Sequence, residues 1–155
     1  FLNMFAPGDI VYFSPFYFKN GNTAKNKYFV VLKNIDDKIL LAILPTRRDS
    51  IPQCLSVECG CIEAPHINFN CFVFAPHTQV TECGKSFDFP THLYESLIDD
   101  YDINYMKDIY RSEGKDYILW GKMKSDLYDK LIDCFSSSRA IKRKYKKILR
   151  QSSDS

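Results

Sequence analysis

The chain lacks any apolar run approaching the ~18–20 residues that a membrane-crossing helix requires, so no helical membrane anchor is expected. Residues 1–5 carry no charged n-region and soon meet Pro7-Gly8, so no signal peptide is expected either, and cytoplasmic placement follows as an expectation. Strong charge of one sign is missing: the formal net charge is +2 over 155 residues, too little for a broad electrostatic surface that gathers nucleic acid. Internal repeats are absent from the sequence. The six cysteines lack the close paired C-x2–4-C knuckles usual for zinc, so no metal and no cofactor are expected. Cys54, Cys59, Cys61, His66, Cys71 and His77 are the residues such a site would draw on, and Cys59 and Cys61 equally suit one face of a strand.

What is present reads as a folded globule. Hydrophobic residues make up 45% and aromatics 15% of the chain, more than a disordered segment carries. The length suits one domain, taken as residues 1–150, followed by a flexible tail at 151–155. The even cysteine count permits disulfides, but without a secretory context buried free thiols are the expected state. Charge is unevenly placed. Residues 139–150 hold seven of the 21 basic residues and no acid, whereas residues 1–138 carry 14 basic and 18 acidic residues, or −4. RNA affinity, if any, belongs to a local patch or to this C-terminal segment.

Short apolar runs bounded by turn residues predict strands over 9–13, 28–33 and 38–44, with further strands at 69–74, 80–89 and 116–120. Several short strands with turns between them favour a small barrel or a curled antiparallel sheet. Leu93, Leu97, Tyr101, Tyr105 and Ile109 recur every four residues and predict a helix from Thr91 to about Arg111, with His92 as a surface residue of its first turn and Gly114 as its stop. A second helix opens at Ser125 and turns Leu127, Leu131, Ile132 and Phe135 inward. A basic amphipathic helix spans 140–150, fitted to RNA phosphates, to a partner, or to packing against the acids at Asp99–Asp108. The fold class is thus α+β, a curled sheet with appended C-terminal helices.

Three pieces in the first third carry a more specific pattern. Gly8-Asp9-Ile10-Val11-Tyr12-Phe13 is a turn and a strand, Lys27-Tyr28-Phe29-Val30-Val31-Leu32-Lys33 a second strand, and Ile39-Leu40-Leu41-Ala42-Ile43-Leu44 a third that runs into Pro45-Thr46-Arg47-Arg48. Their order and spacing resemble the MazF/PemK toxins, small SH3-like barrels that cut RNA. The resemblance implies a metal-independent, sequence-selective endoribonuclease of a toxin–antitoxin pair, leaving a 2′,3′-cyclic phosphate and a 5′-hydroxyl. It also implies a homodimer, a cognate antitoxin protein and single-stranded RNA as substrate. Thr46 stands at the family's catalytic Thr position; Lys27-Tyr28 stands where the family has Arg-Pro. The resemblance thus implies catalytic roles for Thr46 and for Lys27 at the Arg position; outside the family pattern, Arg47 is read as a catalytic guanidinium and Arg48 as RNA-binding from their place beside Thr46, and Phe16 and Tyr17 as RNA-binding rings of the aromatic stretch 13–18.

The residues themselves leave other readings open. Thr46 to Ser50 also reads as a solvated strand-to-loop junction, and Phe13, Phe16 and Phe18 as core or as a dimer face. A non-catalytic module that binds nucleic acid or protein is the alternative function, because Lys has no planar fork for phosphate.

Overall fold

The computed structural model describes residues 5–44, 60–67, 69–88 and 90–151. In chain order its elements are β1 (Asp9–Phe16), β2 (Lys25–Ile35), β3 (Lys38–Leu44), β4 (Gly60–Ala64), β5 (Phe69–Phe74), β6 (Thr91–Tyr94), β7 (Ile98–Asp102), α1 (Ile103–Ile109), β8 (Tyr117–Lys122), α2 (Ser125–Ser136) and α3 (Arg143–Leu149). The strands form two antiparallel sheets, one of five in the order β7-β3-β2-β1-β8 and one of three in the order β4-β5-β6. The protein is α+β, as its apolar pattern predicts. Among the described residues the two ladders stay separate and do not join into one closed barrel.

The five-stranded sheet is covered on both faces, which is why β2 and β3 read as unbroken apolar runs. Ile10, Val30, Leu32, Leu40 and Ala42 face one core, closed by Phe72 and Phe74 of the smaller sheet and by Leu131, Phe135, Tyr145 and Leu149 of the two C-terminal helices. Val11, Phe13, Phe29, Val31, Ile39 and Leu41 face a second core with Phe5, Tyr101, Met106 and Tyr110. Burial of so many large side chains, each worth about 1.5–3 kcal/mol, is the main stabilising term. The Tyr128 hydroxyl donates to the Leu32 carbonyl at 2.6 Å and ties α2 to β2.

Two glycines are required by geometry. Gly8 enters β1 at φ +91°, donating its amide to the Val31 carbonyl at 2.8 Å. At Gly121 a Cβ would lie 2.6 Å from Thr81 Cγ2, so only glycine lets β8 pass the 80–82 segment.

The stretch from Thr91 to Arg111 corrects the expectation of one helix. It forms β6, a 3-10 turn at Glu95–Leu97, β7 and only then α1. A spacing of four is also a multiple of two, so Leu93, Leu97 and Tyr101 satisfy strand alternation as well as a helix. Pairing of β7 with β3, Leu41 opposite Asp99 and Ala42 opposite Ile98, decides for the strand. The helix begins where Asp102 caps it, its Oδ1 accepting from the Asn104 and Tyr105 amides at 2.9 and 3.1 Å. His92 consequently sits on β6, and Gly114 lies in a turn after α1. Residues 80–89 form no strand among those described; Val80 donates to the Lys85 carbonyl around a turn with Gly84 at φ +90°. The basic helix is shorter than its amphipathic pattern, with Lys142 at its N-cap.

The cysteines bring the other correction. Cys61 of β4 and Cys134 of α2 form a disulfide with an S–S distance of 2.05 Å across 73 residues of sequence. Cys71 is a buried free thiol and Cys83 an exposed one. Cys54 and Cys59 lie outside the described residues. Among the described residues no group of three His, Cys, Asp or Glu side chains is placed to hold a metal ion, and no helix is long and apolar enough to cross a membrane.

Candidate nucleic-acid interface

Lys27 lies near the start of β2, half-buried and paired with Phe13 of β1. Alternation puts it on the face of Phe13 and Phe29, opposite to Tyr28. On the other side of β2, Tyr28 pairs with Leu44, the last residue of β3. The chain therefore leaves β3 beside the Lys27 end of β2. Thr46, Arg47 and Arg48 lie outside the described residues.

A cleft of about 280 Å³ opens at this end of the sheet. Ile43, next to the end of β3, forms part of its wall with Phe18, Lys19, Tyr101, Lys142 and Tyr145. Lys19 Nζ sits 3.2 Å from Asp99 Oδ1 and 4.3 Å from the centre of the Tyr101 ring, and it also bonds the Asp100 carbonyl. From α3, Lys144 Nζ approaches Asp100 Oδ1 at 3.9 Å, and the Tyr145 hydroxyl donates to Asp99 Oδ1 at 3.1 Å. The basic segment thus docks on the acids of β7, one of the readings its sequence left open. Lys142 Nζ stands 5.9 Å from the Tyr145 ring.

Electrostatics around the cleft follow from these contacts. Burial works against ionisation of Asp99, but the Lys19 hydrogen bond, the Asp100 amide and the Tyr145 hydroxyl outweigh it and hold the carboxyl below its usual range. Burial and the neighbouring carboxylates raise both Tyr101 and Tyr145, so both keep their protons. Lys19 and Lys144 pair with the carboxylates of Asp99 and Asp100, and Lys142 adds one further positive charge to the cleft wall beside the aromatic rings. Such a cleft suits a base against a ring and a phosphate against a lysine.

The two aromatic residues expected at RNA part company. Phe16 is 1% exposed, its ring stacked on Tyr110 at 5.7 Å and 4.3 Å from that of Phe29, so it is corrected to a core residue. Tyr17 is 50% exposed, with its amide donating to the Tyr110 hydroxyl at 2.9 Å. Sequence reasoning missed a second aromatic row on the opposite face of the sheet. Tyr12 and Tyr28 lie 4.5 Å apart, Tyr28 meets Trp120 edge-on at 6.1 Å, and Trp120 stacks on Phe87 at 5.2 Å beneath Lys85. These rings come from β1, β2, β8 and a turn, and only strand alternation at Tyr12 and Tyr28 hinted at it. Lys19 was also missed as a site residue, and Lys142 and Tyr145 were read only as part of the basic C-terminal segment, since no motif links positions so far apart.

Fold and site together define an α+β protein of two antiparallel sheets with a lysine- and tyrosine-lined cleft at one sheet end. Compared with known proteins, the chain matches no family model, no curated protein and no solved structure.

Proposed function

We propose that the chain is a metal-independent, sequence-selective endoribonuclease acting as the toxin of a toxin–antitoxin pair, built as a curled SH3-like sheet in the manner of the MazF/PemK family. The observation that supports this reading is the β2–β3 register, Tyr28 opposite Leu44, which makes the exit of β3 a neighbour of Lys27. In this reading the Thr46 hydroxyl positions the scissile phosphate. Lys27 and Arg47 offset the charge that grows on it as the ribose 2′-oxygen attacks and the 5′-oxygen leaves. Arg48 and the cleft lysines Lys19 and Lys142 hold flanking phosphates, and the exposed Tyr17 offers its ring to an unpaired base. A homodimer, a cognate antitoxin and a cytoplasmic site of action belong to the same proposal.

Lys27 in place of a forked guanidinium favours one second reading, a module that binds RNA without cutting it. Cleavage of defined RNA by the wild type, Thr46→Ala, Arg47→Ala and Lys27→Arg proteins separates the two. The toxin reading expects loss in the first two variants and retained or raised activity in the third. Binding without cleavage in both wild type and Lys27→Arg would establish the second reading instead.

A further inference from the structure

A cleft of about 380 Å³ lies against the disulfide, shares no lining residue with the lysine-lined cleft, and is independent of the RNA reading. Gly60, Cys61, Phe72, Lys130, Asp133 and Cys134 contribute to its walls, and among the described residues nothing stands within 4 Å of where a Gly60 side chain would be. The two cysteines differ in exposure. Cys61 is an exposed residue of β4, whereas Cys134 is 5% exposed within α2. We propose that Cys61 is a site of S-thiolation, where a low-molecular-weight thiol entering this cleft attacks the Cys61 sulfur and Cys134 departs as the thiolate.

The step balances without an external oxidant. The incoming thiolate forms a bond to Cys61 Sγ, the Cys61–Cys134 bond breaks, and its electron pair stays on Cys134, which then takes a proton from water. The product is a mixed disulfide at Cys61 and one free thiol at Cys134. Asn70 is placed to assist departure. It is wholly buried, and its Nδ2 lies 3.3 Å from Cys134 Sγ and 3.6 Å from Cys61 Sγ while donating to the Ile62 carbonyl at 3.0 Å. An amide donor at the leaving sulfur stabilises the charge that develops there. The Cys71 carbonyl stands 3.7 Å from Cys134 Sγ and can accept from the thiol once it is protonated. Asn70 Oδ1 is buried and has no donor among the described residues, a further acceptor beside the site. Burial pushes the Cys71 thiol up to about 12, so it stays protonated and does not compete as a nucleophile.

The cleft also selects by charge. Glu63 and Asp133 oppose Lys130, a formal excess of one negative charge, so an aminothiol such as cysteamine is favoured over an anionic thiol such as 2-mercaptoethanesulfonate.

The test uses the native, oxidised full chain with its free thiols first blocked by iodoacetamide. It is then exposed to cysteamine or 2-mercaptoethanesulfonate at equal thiolate concentration, alkylated again and mapped by peptide mass spectrometry. The expected adduct is on Cys61 with fresh alkylation on Cys134. Reaction with cysteamine is expected to run about three- to tenfold faster, with the preference shrinking in high salt. Glu63→Gln combined with Asp133→Asn, both at exposed positions, leaves Lys130 as the one formal charge among these three and should reverse the preference while leaving the adduct on Cys61. An adduct on Cys134, an even split between the two, no linked Cys61–Cys134 peptide at the outset, or reaction only after denaturation would each overturn the proposal.

Discussion

Replacing Cys61 by Ser isolates the worth of the Cys61–Cys134 link, because the Cys61 side is exposed and little packing goes with it. The link spans a separation of 73 residues. The chain-entropy relation puts the constraint on an unfolded loop of that length at about 4 kcal/mol at 25 °C, and measured links commonly deliver about 2–4 kcal/mol. In the folded protein the bond joins β4, which pairs with β5 beside Phe72, to α2, which carries Leu131 into the same core. The loss therefore falls on one cooperative unit rather than on a frayed end. Urea denaturation followed by circular dichroism should show Cys61→Ser less stable by about 2–4 kcal/mol, with a melting temperature lower by on the order of 5–15 °C. A reductant should bring wild type to the same curve and leave Cys61→Ser unmoved. The denatured wild type is more compact, so its slope against urea should be the shallower of the two until it is reduced. A change below about 1 kcal/mol, or a reductant that shifts Cys61→Ser as far as wild type, would refute the reasoning.

Phe16→Ala, at a fully buried ring, should cost about 3–5 kcal/mol, while Tyr17→Ala next to it should cost about 1 kcal/mol or less; thermal melts of the pair check the core assignment. Asp99 titrates lower in the folded chain than its ordinary value of 3.8. Its contribution is complete above that value and disappears as pH falls through the folded value, so the stability gap between wild type and Asp99→Asn should close on acidification. A gap that widens on acidification would contradict the Lys19–Asp99–Tyr145 arrangement. Lys142→Ala should weaken binding of single-stranded RNA and reduce the salt slope by about 0.7, measured by fluorescence anisotropy across a salt series; an unchanged slope would remove Lys142 from the interface.

Much of the sheet is legible in the sequence because the relevant signal is local. Short apolar runs locate β1, β2, β3, β5 and β8, and Ser125 with Leu127 and Leu131 locates α2. The misread stretch from Thr91 to Arg111 fails for a definable reason: a four-residue spacing fits both periods, and the deciding partner, β3, lies 56 to 64 residues earlier. The disulfide is illegible for the same kind of reason, since composition and context weigh on thiols while only the fold brings Cys61 against Cys134. At the site, the sequence order suggested that Lys27 lies near the end of β3, and the β2–β3 register agrees. The core reading of Phe16, one of the two its sequence left open, is the one its burial supports, but the sequence did not disclose that Lys19, Tyr101 and Lys142 from three distant stretches share a cleft.

The central claim is that this protein cuts RNA without a metal, and it is tested most directly by mapping product ends. Wild-type protein is incubated with defined single-stranded RNA in excess EDTA, and the termini are read by end-specific labelling. The account predicts cleavage at a preferred sequence with 2′,3′-cyclic phosphate and 5′-hydroxyl ends, because the 2′-oxygen is the nucleophile and no metal-bound water takes part. Intact RNA from wild type and Lys27→Arg alike, cleavage abolished by EDTA, or 5′-phosphate ends would contradict it.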